Sequence, residues 1–146
     1  MAGPAVKTVD EAVARELRQH WEDGWNRADL DTIMAPFAAG VIFSSPFVPK
    51  LTGDPARATI EGYDALRSYV DDSLRRAPGI RYTVDAVCVG SDSLVLLYTV
   101  HRTDGVDKAG ADLMRIDADG KVVEWRCHYV ADFLDGSVRY QVDEAS

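Results

Sequence analysis

The chain has 146 residues, which is enough for one domain and too few for two. Its composition, 47% hydrophobic and 27% charged, is ordinary for a globular protein and argues against a disordered or fibrous chain. Lys and Arg number 16 against 24 Asp and Glu, and this net charge of −8 repels phosphate backbones and anionic lipids, so we expect neither nucleic acid nor a membrane as partner.

The sequence also predicts a cytoplasmic location. Residues 1–7 lack the apolar core of a signal peptide, and the longest nearly apolar run, 94–100, is far below the roughly 18 residues of a spanning helix. Cys88 and Cys127 could pair, but both lie in strand-like alternation, and in a reducing compartment we expect free thiols.

Two helices are predicted at the start of the chain. Thr8 and Glu11 have the spacing of a capping box, and the first helix should run from there to about residue 26. Asp29 can cap a second helix over 30–37. Apolar residues recur on one face of the first helix and should point to the core: Val13, Leu17, Trp21 and Trp25.

A short strand over 41–44 follows and stops before Pro46. Residues 46–59 contain three prolines and a glycine, which predicts an irregular loop. A further helix, ending before Gly79, carries apolar residues at helical spacing: Tyr63, Leu66, Tyr69, Val70 and Leu74. The period then changes to two, which predicts strands over about 81–88, 93–102, 110–117 and 121–134.

Helices followed by a meander of strands predict an α+β fold with the helices packed on one face of a curved sheet. A sheet that curls around a helix leaves a pocket at its open end. We expect a single domain over 1–146, with its core at about 8–134 and an acidic C-terminal tail at 135–146.

Four segments together resemble one family: Asn26–Asp31, Phe37–Pro46, Gly62–Leu66 and Asp112–Val123. The chain is similar over about 8–134 to the nuclear transport factor 2-like superfamily, in its SnoaL-like and ketosteroid isomerase-like branches. The resemblance implies a cystatin-like fold, in which a cone-shaped, curved antiparallel (mixed) sheet wraps around the N-terminal helices. This fold hosts isomerases, cyclases, dehydratases and non-enzymatic binders, so it does not fix one activity.

Members similar to ketosteroid isomerase carry three functional groups. These are a catalytic Asp before the proline that ends the first strand, a Tyr in the first helix and a protonated Asp at the start of a later strand. The matching positions here are Ser45, Trp21 and Asp112. Because only the last group is retained, the resemblance implies the scaffold and a functional Asp112 but not ketosteroid isomerisation.

Asp112 begins an apolar strand, and the resemblance implies that it points inward, where burial would raise its pKa and make it an acid or a hydrogen-bond donor. The alternative is a solvated carboxylate at the rim of the preceding turn. His101 would be its cross-strand neighbour and helper if the hairpin turn is centred near residues 106 and 107. The alternative, a one-residue change of register, leaves His101 exposed at a strand end.

The last strand alternates between two faces. Glu124, Arg126 and His128 should lie outside, on the face through which members of the family form homodimers. The resemblance implies that the other set, Trp125, Cys127 and Tyr129, faces an apolar pocket, although it could equally fill a core. The predicted ligand-binding residues are Trp21, Trp25, Phe43, Ser45, Tyr69, Tyr82, Met114, Trp125, Cys127 and Tyr129.

The sequence thus predicts a protein that binds a small hydrophobic molecule, cyclic or polyketide- or steroid-like. It would act on this molecule as a cofactor-free isomerase, cyclase or dehydratase through Asp112 and His101. The alternative is a non-catalytic ligand-binding or dimeric interaction domain. The three histidines lack the spacing of metal ligands, and no glycine-rich phosphate loop or G-x-S-x-G elbow is present, so we expect no metal, no cofactor and no serine nucleophile.

Overall fold

A computed structural model describes residues 9–131 of the protein. Thr8, the last residues of the predicted 121–134 strand and the predicted tail at 135–146 lie outside this range. Its elements, in chain order, are α1 (Glu11–Arg27), α2 (Leu30–Met34), β1 (Phe37–Ser44), α3 (Val48–Thr52), β2 (Thr59–Glu61), α4 (Tyr63–Arg76), β3 (Arg81–Val89), β4 (Ser93–His101), β5 (Asp107–Ile116) and β6 (Val122–Tyr129).

The strands form one curved, unclosed sheet in the order β2-β1-β6-β5-β4-β3. β1 runs parallel to β6, and the other neighbouring pairs are antiparallel. Register shifts in the β1–β6, β3–β4 and β5–β6 pairs add local bends, as bulges do. The α+β fold with a mixed, curved sheet predicted from the sequence is confirmed.

The start of α1 differs from the predicted capping box. Asp10 is the N-cap residue, and its carboxylate accepts a hydrogen bond of 2.7 Å from the Ala12 amide. Glu11 is therefore the first residue of the helix and does not stand at the third helical position that a capping box requires. The inward face is confirmed at Leu17 and Trp21, which are buried, and α1 packs against β3.

The sequence prediction is wrong at the start of β1. The predicted 30–37 helix stops at Met34, and the strand begins at Phe37, four residues earlier than predicted. Pairing with β6 explains this, because Phe37 lies opposite Val122 and stacks on Trp125 at 5.0 Å between ring centroids. Long-range packing therefore prevails over the helical preference of the local sequence.

The 46–59 loop is partly ordered. It contains the five-residue α3, whose second position is Pro49, where the missing amide hydrogen costs no helical bond. Its last residue begins β2, which pairs with β1. No helix within residues 9–131 has both the length and the apolar composition needed to cross a lipid bilayer.

A buried carboxyl in an aromatic cavity

A cavity of about 190 Å³ lies between α1, α4 and the inward face of the sheet. Its mouth is formed by exposed residues after α1 and α4, among them Ala28, Pro78 and Gly79. Nine of its 22 lining residues are aromatic. The predicted ligand-binding residues that line it are Trp21, Trp25, Phe43, Ser45, Tyr69, Tyr82, Trp125, Cys127 and Tyr129.

Met114 was predicted to line the pocket but does not. It is 2% exposed and belongs to the hydrophobic core, outside the cavity lining. Tyr98, which the sequence prediction missed, does line the cavity. The inward alternation of β4 could have revealed it, since Leu94, Leu96 and Val100 are buried on the same face.

Asp112 is the buried carboxyl of this cavity, with 1% of its surface exposed. It lies on β5 between Leu96 of β4 and Cys127 of β6. Its Oδ1 accepts a hydrogen bond of 2.9 Å from the Tyr98 hydroxyl, and its Oδ2 accepts one of 2.9 Å from the Trp125 indole N–H. The two contacts fix the carboxyl plane against the sheet.

Burial raises the pKa of Asp112 to about 6, because the apolar surroundings penalise the charged form. The hydrogen bonds from Trp125 and Tyr98 oppose this rise by favouring the carboxylate. Burial also raises the pKa of the Tyr98 hydroxyl and of the Cys127 thiol well above their ordinary values, so both stay neutral. Asp112 is therefore the group of this cluster that exchanges a proton near neutral pH.

Gly110 makes room for the Tyr98 ring. A Cβ at this glycine would lie 2.5 Å from the Tyr98 ring, closer than non-bonded atoms approach. The two residues are cross-strand partners on β5 and β4. A side chain at position 110 would therefore displace the hydroxyl that holds Asp112.

The indole N–H groups of Trp21 and Trp25 also belong to this cavity. Neither indole N–H has a hydrogen-bond partner among the residues that the structure describes, and both nitrogens are buried. The Trp21 N–H lies close enough to Asp112 to lower its pKa, but it does not form a hydrogen bond of ordinary geometry. The Trp21 ring contacts Tyr98 at 4.6 Å and Trp25 at 6.4 Å between centroids.

The prediction that His101 and Asp112 are cross-strand neighbours is wrong. The hairpin turn is tighter than expected, with Gly105 at φ 83°, so His101 lies opposite Asp107. Its Nδ1 is 3.1 Å from Asp107 Oδ1, and its Nε2 is 2.8 Å from Thr83 Oγ1. The observed and predicted partners of His101 differ by five positions. Because five is an odd number, His101 lies on the opposite face of the sheet from Asp112.

Ser45 lines the cavity but is already bonded. It is 5% exposed, and its Oγ accepts a hydrogen bond of 3.1 Å from the Phe47 amide. Cys88 and Cys127 are both free, although only Cys127 is buried. Within residues 9–131, no group of three or more His, Cys, Asp or Glu side chains is arranged to hold a metal ion.

Comparison with known proteins gives a consistent picture. The sequence model of the SnoaL-like domain family matches residues 17–125 of the chain. A SnoaL-like protein of unknown function from Burkholderia thailandensis is 26% identical, with a TM-score of 0.74, over 86% of this chain and 100% of that one. No curated protein matches the chain.

Two more distant structures share the fold. One is a protein of unknown function with a cystatin-like fold from Methylobium petroleophilum (19% identity, TM-score 0.66, 85% of this chain and 80% of that one). The other, from Kribbella flavida, is described as a candidate ketosteroid isomerase (17% identity, TM-score 0.62, 81% of this chain and 78% of that one). At these identities the likeness extends to the fold alone.

Proposed function

Because the chain belongs to the SnoaL-like domain family, we propose that its cavity binds a small hydrophobic cyclic molecule on which Asp112 acts as an acid/base group. One observation carries this proposal: a fully buried carboxyl, with a pKa raised to about 6, lines an aromatic cavity. Aromatic walls favour a flat or cyclic apolar ligand. An acid whose pKa lies near the working pH is suited to proton transfer.

Protonated Asp112 would polarise a ligand carbonyl by donating a hydrogen bond to its oxygen, and ionised Asp112 would accept a proton. This chemistry serves a cofactor-free isomerase, cyclase or dehydratase. Two distant relatives in fold, from Agrobacterium tumefaciens and Kribbella flavida, carry descriptions as candidate isomerases. Ketosteroid isomerisation does not fit, because the position of its base is Ser45, whose hydroxyl ionises too reluctantly.

Hydrogen–deuterium exchange at the α-carbon of cyclohexanone tests this proposal. In D2O, Asp112 would polarise the carbonyl while water removes the α-proton, and proton NMR follows the loss of the α-hydrogen signal. We expect faster exchange with the wild type than with Asp112→Asn, which keeps the size of the side chain. Equal rates would contradict an acid/base role for Asp112.

A non-catalytic ligand-binding protein is the second candidate. Both oxygens of Asp112 already accept hydrogen bonds, from Tyr98 and Trp125, as in a purely structural network. Saturable binding of cyclohexanone to the wild type, measured by NMR line broadening, would favour this candidate over the enzyme if no hydrogen–deuterium exchange at the α-carbon accompanied it.

We also propose a homodimer through the outer face of the sheet. Leu97, 38% exposed, lies beside Ala111 and His128 on this face. The Glu124 carboxylate on the same face accepts hydrogen bonds from Arg115 and Arg126. A two-fold axis would bring these opposite charges of two copies together around an apolar centre. Light scattering should give twice the monomer mass at micromolar concentration and the monomer mass for Leu97→Glu. A monomeric wild type would contradict the proposal.

The cytoplasmic location remains a proposal. The free thiols of Cys88 and Cys127 are in keeping with a reducing compartment.

A further inference from the structure

We infer that the ligand is a single-ring compound with an acceptor oxygen, a carbonyl or carboxylate, and that the indole N–H groups of Trp21 and Trp25 hold this oxygen. The inference rests on the proposed function, since it names the class of molecule that the same cavity takes. The interior of the cavity has no room for the four fused rings of a steroid.

The first argument is the state of the two donors. Each indole N–H is buried, and neither forms a hydrogen bond of ordinary geometry in the part of the chain that the structure describes, although the Trp21 N–H lies near Asp112. Native proteins rarely leave a buried donor unpaired, because the group loses its bonds to water without replacement. Both rings line the cavity, so a ligand there can supply the missing acceptor.

The second argument concerns the acceptors of the cavity. Asp112 receives hydrogen bonds on both of its oxygens. The Asn26 amide is bonded to the backbone of Tyr82, donating to its carbonyl at 2.8 Å and accepting from its N–H at 2.7 Å. The carboxyl and amide oxygens that line the cavity thus each already accept a hydrogen bond, whereas the indole N–H groups of Trp21 and Trp25 form none of ordinary geometry. The cavity is therefore complementary to a ligand that accepts hydrogen bonds.

The third argument is size. A cavity of about 150 Å³ in another protein holds one benzene molecule. The present cavity, at about 190 Å³, leaves room for one six-membered ring and a short substituent. Longer substituents would have to leave through the mouth near Pro78 and Gly79.

The indole resonances of the protein provide a direct readout. The chain has three tryptophans, and all three line the cavity. A proton–nitrogen correlation spectrum therefore contains three indole signals, which Trp21→Phe and Trp25→Phe assign by removing one signal each. The Trp125 N–H already donates to Asp112 and serves as the internal control.

The probes are acetophenone and α-methylstyrene, which have nearly the same shape. Acetophenone has a carbonyl oxygen where α-methylstyrene has a methylene group. We expect acetophenone to bind about tenfold more tightly, the effect of roughly one well-formed hydrogen bond. It should move the Trp21 and Trp25 signals downfield while Trp125 changes little. Each Trp→Phe substitution should weaken the binding of acetophenone more than the binding of α-methylstyrene. The chemical-shift changes of the indole signals in the wild type test the same point without any substitution.

Each contrary outcome has a distinct meaning. Equal affinities without downfield shifts would overturn the role of the two indoles and leave the binding function standing. A four-ring steroid ketone that binds more tightly than acetophenone would overturn the size limit alone. If acetophenone, α-methylstyrene and the steroid ketone all fail to bind, both this inference and the proposed function are wrong.

Discussion

Replacing Asp112 with Asn should remove a pH dependence of stability that the wild type carries. The folded-state pKa is raised from 3.8 to about 6, so the folded protein binds this proton more tightly than the unfolded chain does. The stabilisation from protonation is therefore complete below about pH 4 and is lost as the pH rises through 6. The difference in pKa corresponds to about 3 kcal/mol in the free energy of unfolding.

Asn is a suitable replacement because the hydrogen bonds of the site survive. Its amide oxygen can accept from the Trp125 indole, while its NH2 group donates to the Tyr98 oxygen once that hydroxyl turns around. The variant has no charge to bury at any pH. Its stability relative to the wild type should therefore rise by about 2 kcal/mol between pH 4 and pH 7, since part of the difference already arises below pH 4.

Urea unfolding of both proteins at several pH values measures this difference, provided that the two proteins have the same m-value, the slope of the free energy of unfolding against urea concentration. Glu124→Gln is a control of opposite sign. The hydrogen bonds from Arg126 and Arg115 lower the pKa of Glu124, so the wild type should gain stability over this variant as the pH rises. Parallel curves for the wild type and Asp112→Asn from pH 4 to 7 would refute the reasoning.

Three further predictions concern the same cavity. Trp125→Phe removes the hydrogen bond of 2.9 Å from the indole to the carboxylate and should raise the pKa of Asp112 above about 6, measured by carbon-13 NMR; an unchanged or lower pKa would contradict this. Gly110→Ala should lower the free energy of unfolding by about 1–3 kcal/mol in urea titrations, because the added Cβ overlaps the Tyr98 ring, and an unchanged midpoint would show that the ring moves aside freely. The wild type should give no conjugated-enone absorbance from an unconjugated ketosteroid, and activity that survives Ser45→Ala would reveal another base.

The strand alternation carried most of what the sequence could predict about the site. A period of two places Trp125 and Cys127 on one face of the last strand whatever its exact ends, and the resemblance to the family implied that Asp112 points to the same side of the sheet. These residues do meet at the cavity, and Trp21 and Trp25 reach it from α1 through helical spacing. Within each of these elements the local pattern was sufficient, because the element buries one face.

Pairing register was beyond the reach of the sequence. The position of His101 depended on the hairpin turn, and a tighter turn moved it to the outer face beside Asp107. The start of β1 at Phe37 likewise depended on β6, which lies about 85 residues further along the chain. The unpaired indoles of Trp21 and Trp25 are also a tertiary property, because only the packed structure shows which donors lack acceptors.

The pKa of Asp112 tests the central claim of a buried acid in a ligand cavity most directly. Carbon-13 NMR of the aspartate carboxyl carbons, with Asp112→Asn used to assign the signal, follows this one group through a pH titration. We predict an apparent pKa near 6, and a further rise when acetophenone fills the cavity and excludes water. An apparent pKa at or below 3.8 that acetophenone does not change would contradict the account.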